Sequence, residues 1–183
     1  TPLYSSAASD VYKRQNYSRS TDGVTWAAPQ VFPTPASAPS MTAYGNGTFV
    51  AVGQYNGNYR TTDGITWSAV TIPGAVGNHW RSVAFGANRW VAISGRFDAT
   101  NVAAWSTDGI TWSSTTLPAS VRWTEVTFGA NLFVVVGYGG NVAYSTNGAT
   151  WTLGATQKQG LWELSYMEAV SYTHLRAHET PEH

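Results

Sequence analysis

Four seven-residue segments of this chain superimpose without a gap. They are Ser20-Thr-Asp-Gly-Val-Thr-Trp26, Thr61-Thr-Asp-Gly-Ile-Thr-Trp67, Ser106-Thr-Asp-Gly-Ile-Thr-Trp112 and Ser145-Thr-Asn-Gly-Ala-Thr-Trp151. Their tryptophans are 41, 45 and 39 residues apart. A second motif runs in phase with the first: Tyr44-Gly-Asn-Gly-Thr-Phe-Val-Ala-Val-Gly53, Phe85-Gly-Ala-Asn-Arg-Trp-Val-Ala-Ile93 and Phe128-Gly-Ala-Asn-Leu-Phe-Val-Val-Val-Gly137. Self-similarity at such a period means one supersecondary unit used repeatedly. A unit this small cannot bury its own faces, so neighbouring units must stack on one another.

The unit is all-β. Lysine and glutamate, which dress exposed helices, are scarce, whereas the chain carries nine Trp, ten Tyr and six Phe and only 11% charged residues. In the third period Arg122–Phe128 is predicted as strand one and Leu132–Val136 as an apolar strand two. Asn141–Ser145 follows as strand three and Ala149–Leu153 as strand four. Asp-Gly or Asn-Gly between β-rich runs is a strong hairpin signal, and it predicts type I′ turns between strands three and four. Four-stranded up-and-down sheets of about forty residues are the blades of a β-propeller. The expected architecture is therefore a partial β-propeller of three complete blades plus parts of two. The parts are a half blade around Ser20–Trp26 and one strand, Leu161–Met167, in which Trp162 and Met167 align with Trp123 and Phe128.

The Asp-containing turn resembles the Asp box, or BNR repeat, of sialidase-like propellers, and the resemblance covers residues 16–167. It implies that the Ser/Thr and Asp side chains tie down the turn while the Trp packs beneath it, and it implies a ring of six or more blades. These turns have one residue fewer between Asp and Thr than the usual motif. This tighter variant is similar to repeats of phage-tail and bacterial surface propellers. Asp22, Asp63, Asp108 and Asn147 are expected to be structural rather than catalytic or calcium-binding. The turn recurs in every blade, and Asn147 takes the position without a charge.

Residues 1–15 and 168–183 lack the repeat pattern and resemble translated sequencing-adapter tails of metagenomic fragments. Both are expected to be non-native, so the i, i+4 pair His174 and His178 is not read as a metal site. An open arc of blades leaves apolar end faces, which favours self-association.

Alternating strand direction puts the one-to-two and three-to-four turns on one face of the propeller. The two-to-three and four-to-one loops lie on the other face, around the channel mouth. On that second face the expected ligand-binding residues are Trp80, Trp123 and Trp162, at the start of successive inner strands, with Arg81, Arg96, Phe97, Asp98, Glu125 and Tyr138. His79, Arg122, Glu163, Tyr55 and Asn56 lie beside them. Aromatic rings flanked by charged and amide groups suit stacking on a sugar and hydrogen bonding to its hydroxyls. The competing reading for the tryptophans is packing between blades.

Formal net charge is zero without a basic run, so nucleic-acid binding is not expected. No apolar stretch approaches a membrane span, and there is no signal-peptide pattern. Without cysteine there is no disulfide or thiolate metal site, and no phosphate loop, nucleophile elbow, metal cluster or cofactor motif is present. Within residues 16–167, Asp98, Glu125 and Glu163 are the only carboxylates outside the Asp turns. These features favour a non-catalytic module that binds a glycan or a protein, in a phage tail, surface or secreted protein, and hence extracellular, at the cell surface or in a virion. The runner-up is a piece of a sialidase-like glycoside hydrolase of exo-α-sialidase type. A third reading is a scaffold propeller similar to photosystem assembly factors.

Overall fold

A computed structural model describes residues 16–33, 39–55, 57–74, 79–95 and 99–155. The N-terminal half blade pairs β1 (Asn16–Tyr17) with β2 (Gln30–Val31). The first full blade is β3 (Pro39–Gly45), β4 (Thr48–Gly53), β5 (Tyr59–Thr61) and β6 (Ser68–Ala69). The second is β7 (Trp80–Gly86), β8 (Arg89–Ser94), β9 (Thr100–Ser106) and β10 (Ser113–Val121). The third is β11 (Trp123–Gly129), β12 (Leu132–Gly137), β13 (Asn141–Ser145) and β14 (Thr152–Leu153). Every sheet is an antiparallel meander in chain order, as the repeat requires. The expected fourth inner strand, Leu161–Met167, lies outside the described residues, as do both terminal segments assigned to tails.

The two hairpin turns of a blade are built differently, and one expectation is corrected. Strands one and two close on the pairs Gly45–Thr48, Gly86–Arg89 and Gly129–Leu132, which leave two-residue loops. Both residues of each loop have positive φ: Asn46 and Gly47 (45° and 70°), Ala87 and Asn88 (45° and 56°), Ala130 and Asn131 (48° and 62°). That is the I′ signature, whose twist matches the flanking strands. In the Asp turns only the glycines, Gly23, Gly64, Gly109 and Gly148, have positive φ. These turns are therefore not type I′; side chains hold them instead.

The core lies between blades. Strand two is the most enclosed element: β4 is buried throughout, and Val50, Ala51 and Val52 are inaccessible, like Val91, Ala92 and Ile93 in β8. Its residues alternate between the two sides of the sheet. Val50 and Val52 pack with Trp90 and Ala92 of the second blade, while Val91 and Ile93 pack with Phe133 and Val135 of the third. Glycine sets how closely blades approach. A Cβ placed on Gly45 would lie 2.1 Å from the Phe85 ring, and one on Gly86 would lie 1.9 Å from the Phe128 ring. The rings of Phe85 in β7 and Phe128 in β11 thus sit directly on a backbone position of the preceding blade.

Candidate functional site

The turn face is occupied by structure. In the first Asp turn the Ser20 hydroxyl donates to Asp22 Oδ1 at 2.8 Å and accepts from the Gly23 amide at 2.8 Å. Asp22 Oδ1 also accepts from the Val24 and Thr25 amides at 2.8 and 2.7 Å. Thr61 with Asp63 and Ser106 with Asp108 repeat this network, and Ser145 with Asn147 repeats it without a charge. Backbone donors hold the Asp22 and Asp63 carboxyls well below the usual carboxylate range, and those of Ile110 and Thr111 hold Asp108 at about 2. A carboxylate saturated by its own turn is a poor acid catalyst. The tryptophans pack beneath: Trp67 and Trp112 are buried, whereas Trp26, in the half blade, is 40% exposed. Arg89 ties this face together, lying 4.2 Å over the Trp105 ring and donating to the Asn147 carbonyl of the next blade at 2.7 Å.

A shallow cleft beside the second Asp turn is lined by Tyr17, Arg19, Gln30, Gly64 and Ile65. It contains no carboxylate.

On the loop face, the structure separates the expected residues into two groups. Trp80 and Trp123 are each 1% exposed and belong to the inter-blade clusters. Their expected role as stacking platforms is corrected: they are core. Trp123 also donates its indole N–H to the Ala119 carbonyl at 3.1 Å. A Cβ on Gly137 would lie 2.9 Å from the Trp123 ring, and one on Gly95 would lie 2.5 Å from its carbonyl. The second group is accessible. Tyr55 and Tyr138 are 58% and 37% exposed, and Arg81 is exposed. The Tyr55 ring meets His79 edge-on at 4.7 Å, and the Arg122 guanidinium lies 4.2 Å over the Tyr138 ring. Both pairs join a two-to-three loop to the residue that precedes an inner strand, which brings these two kinds of loop together at one end of the blades. Glu125 is half-buried in β11. Arg96, Phe97, Asp98, Trp162, Glu163 and Asn56 lie outside the described residues.

Arg81 owes its place to a feature that strand-level reading missed. Each inner strand carries a β-bulge near its start, between Pro39 and Met41, Trp80 and Ser82, and Trp123 and Glu125. A bulge leaves one residue out of the ladder and re-aims its side chain. Ser40 and Thr124 occupy this position in the outer two of the full blades and bond back to the Val52 and Val136 carbonyls at 3.4 and 3.1 Å. The second blade places Arg81 there, with an exposed guanidinium in place of a short hydroxyl.

Among the described residues no group of His, Cys, Asp or Glu could hold a metal ion, and no helix is long and apolar enough to cross a membrane.

No family model and no curated protein sequence matches the chain. Solved structures do. YCF48 bound to a D1 peptide superimposes with a TM-score of 0.52 at 23% identity, over 75% of this chain and 45% of that one. YCF48 from Cyanidioschyzon merolae gives 0.51 at 20% identity, over 81% and 52%. An ancestral GH74 enzyme gives 0.56 at 22% identity, over 76% of this chain and 21% of the enzyme. The chain thus spans about half the length of the YCF48 chains and a fifth of the GH74 chain. Identities this low speak for the fold alone, and the fold is that of propeller blades.

Proposed function

We propose that the chain is a non-catalytic propeller module that recognises a protein ligand, an extended polypeptide segment, on its loop face. The observation that carries this reading is the way the blades use their two ends. At one end the Ser/Thr and Asp/Asn side chains of each repeat are spent on their own turn. At the other, Arg81, Tyr55 and Tyr138 are exposed. Tyrosine and arginine are enriched in binding hot spots because each offers broad contact with a polar tip and few rotamers to freeze. The two tyrosines are partly pre-ordered by His79 and Arg122, which lowers the entropy lost on binding.

Burial of Trp80 and Trp123 bears on ligand class. Among the described residues of the loop face, the accessible rings are then Tyr55 and Tyr138, better suited to side chains and peptide groups than to a run of sugar rings. YCF48 bound to a D1 peptide offers a precedent for polypeptide recognition on this fold. Hydrolysis of a glycan is the second reading, prompted by the likeness to a GH74 enzyme. It calls for two positioned carboxylates, and among the described residues Glu125 is the one carboxylate outside the Asp turns. The sialidase-like and phage-tail or surface settings rest on the Asp-turn resemblance alone.

The test is selection of peptides from a random displayed library against the full chain, in parallel with a glycan array. Selected peptides are expected to bind, and to lose about tenfold in affinity to the Arg81→Ala and Tyr138→Ala proteins, the usual scale for hot-spot truncation. Glycan capture without peptide capture would reject this reading.

A further inference from the structure

The two-residue turn between strands one and two differs among the full blades in the order of its residues. The second and third blades read Ala87-Asn88-Arg89 and Ala130-Asn131-Leu132, whereas the first reads Asn46-Gly47-Thr48. An asparagine followed by glycine is a reactive pair. The glycine's backbone nitrogen attacks the side-chain carbonyl carbon of the asparagine, the bond to the amide nitrogen breaks, and ammonia leaves. The succinimide that forms takes up water and opens to aspartate or, through its other carbonyl, to isoaspartate, in which the main chain runs through the side-chain carbons. No enzyme or oxidant is required. A bulky residue after asparagine hinders the attack, so Asn88 and Asn131, followed by Arg89 and Leu132, are slow on that ground alone.

Asn-Gly occurs also at Asn147-Gly148 and at Asn56-Gly57, where Asn56 lies outside the described residues. The two described pairs sit in opposite surroundings. The Asn147 side-chain oxygen accepts from the Ala149 and Thr150 amides, both at 2.9 Å, and from the Ser145 hydroxyl at 3.1 Å. The nitrogen that would attack, the Gly148 amide, donates to the Ser145 hydroxyl at 2.8 Å. Gly148 is itself buried, and a Cβ there would strike the Val91 side chain of the preceding blade. Carbonyl and nucleophile are both tied down. At Asn46 they are not. Asn46 and Gly47 are exposed, and a Cβ on Gly47 would meet nothing within 4 Å. Among the described residues neither the Asn46 side chain nor the Gly47 amide makes a hydrogen bond. The turn is held by its flanking strands, so its tip can open without breaking a contact.

We propose that Asn46 is a site of spontaneous deamidation, selected by the fold over Asn147, and that its isoaspartyl product loosens the contact between the first and second full blades. Aspartate is harmless there, since Asp-Gly suits a type I′ turn as Asn-Gly does. Isoaspartate is not. It adds a methylene to the main chain of a loop whose length fixes the strand register. Gly45, the residue before it, lies under the Phe85 ring, so a shift in that register reaches the blade-to-blade contact directly.

The test is to age the full chain at mildly alkaline pH, folded and in denaturant, and to follow each asparagine by peptide mapping. Isoaspartate is scored by enzymatic methyl transfer to its α-carboxylate. In denaturant the two described pairs should convert alike. In the folded chain Asn46 is expected to convert at least about tenfold faster than Asn147, where several hydrogen bonds must be released before the attack. The Ser145→Ala protein, which frees the Gly148 amide, should narrow that gap. Chains enriched in isoaspartate at position 46 should melt below the unaged protein, whereas the Asn46→Asp protein should not. Equal rates in the folded chain, or a gap that Ser145→Ala leaves in place, overturns the selection. An isoaspartyl form that melts with the unaged protein overturns its consequence.

Discussion

The two ends of the blades obey different rules. At the turn end, four segments of nearly one sequence make nearly one network, and replacing aspartate with Asn147 preserves it. At the loop end, equivalent positions hold Ser40, Arg81 and Thr124 at the bulge, and Tyr55 and Tyr138 in the loops that follow strand two. Repetition marks what every blade needs in order to stand beside the next. Departure from it, on a backbone that does not change, is where one blade can acquire a task of its own. The difference teaches that in a repeat protein the conspicuous motif is the wrong place to look for chemistry.

The sharpest way to break this comparison is at the contact between blades. Gly86→Val forces two methyls into the Phe128 ring and is expected to cost about 3 kcal/mol or more, or to prevent folding. Chemical denaturation would measure it, and a loss under 1 kcal/mol would show that blades can slide apart. Trp123→Ala removes a fully enclosed indole and should cost about 3–5 kcal/mol. An unchanged midpoint together with lost ligand binding would restore it as a recognition residue.

Smaller effects separate the ends further. Ser106→Ala deletes the hydroxyl that receives the Gly109 amide and orients Asp108, and should cost about 1–2 kcal/mol. Acid should act on the same turns. The Asp22, Asp63 and Asp108 carboxyls are held below their unfolded value, so the stability they lend is present above about pH 4 and is lost as pH falls through their folded values, near 2 for Asp108. Melting temperature against pH should drop over that window. The Asp22→Asn, Asp63→Asn, Asp108→Asn triple variant should flatten the drop, since Asn147 already shows that the amide suffices. Smallest of all, Arg81→Ala should change stability by no more than about 0.5 kcal/mol. A larger loss would make Arg81 one more structural residue.

Much of the fold was legible because the repeat is carried by residues with stringent backbone or packing requirements. The Gly-Asn-Gly and Gly-Ala-Asn turns marked the ends of strands one and two, the apolar runs marked strand two, and the Asp turns set the period. Turn chemistry was misjudged because Asp-Gly fits both a type I′ hairpin and a side-chain-held turn, and sequence alone does not say whether the Ser106 or Asp108 side chain captures the backbone. The fourth strand of the third blade was expected to be longer: β14 begins at Thr152 rather than Ala149, because the turn network reaches to Thr150. The site was legible only as a face. Trp80 and Trp123 recur at one position, a pattern that core packing and ligand stacking share, and the seating of Trp123 depends on how closely Gly95 and Gly137 let it approach. The bulge that exposes Arg81 left no residue signature, since Arg81 shares neither size nor chemistry with the short hydroxyls of Ser40 and Thr124 at the same position.

Hydrogen–deuterium exchange of the full chain, with and without a library-selected peptide, tests most directly whether the loop end is the recognition surface. Slowed exchange at Gly53–Tyr55, His79–Arg81 and Gly137–Gly140, with Ser20–Trp26, Thr61–Trp67 and Ser106–Trp112 unchanged, is the expected result. Protection centred on those Asp turns, with the loop end unaltered, would contradict it.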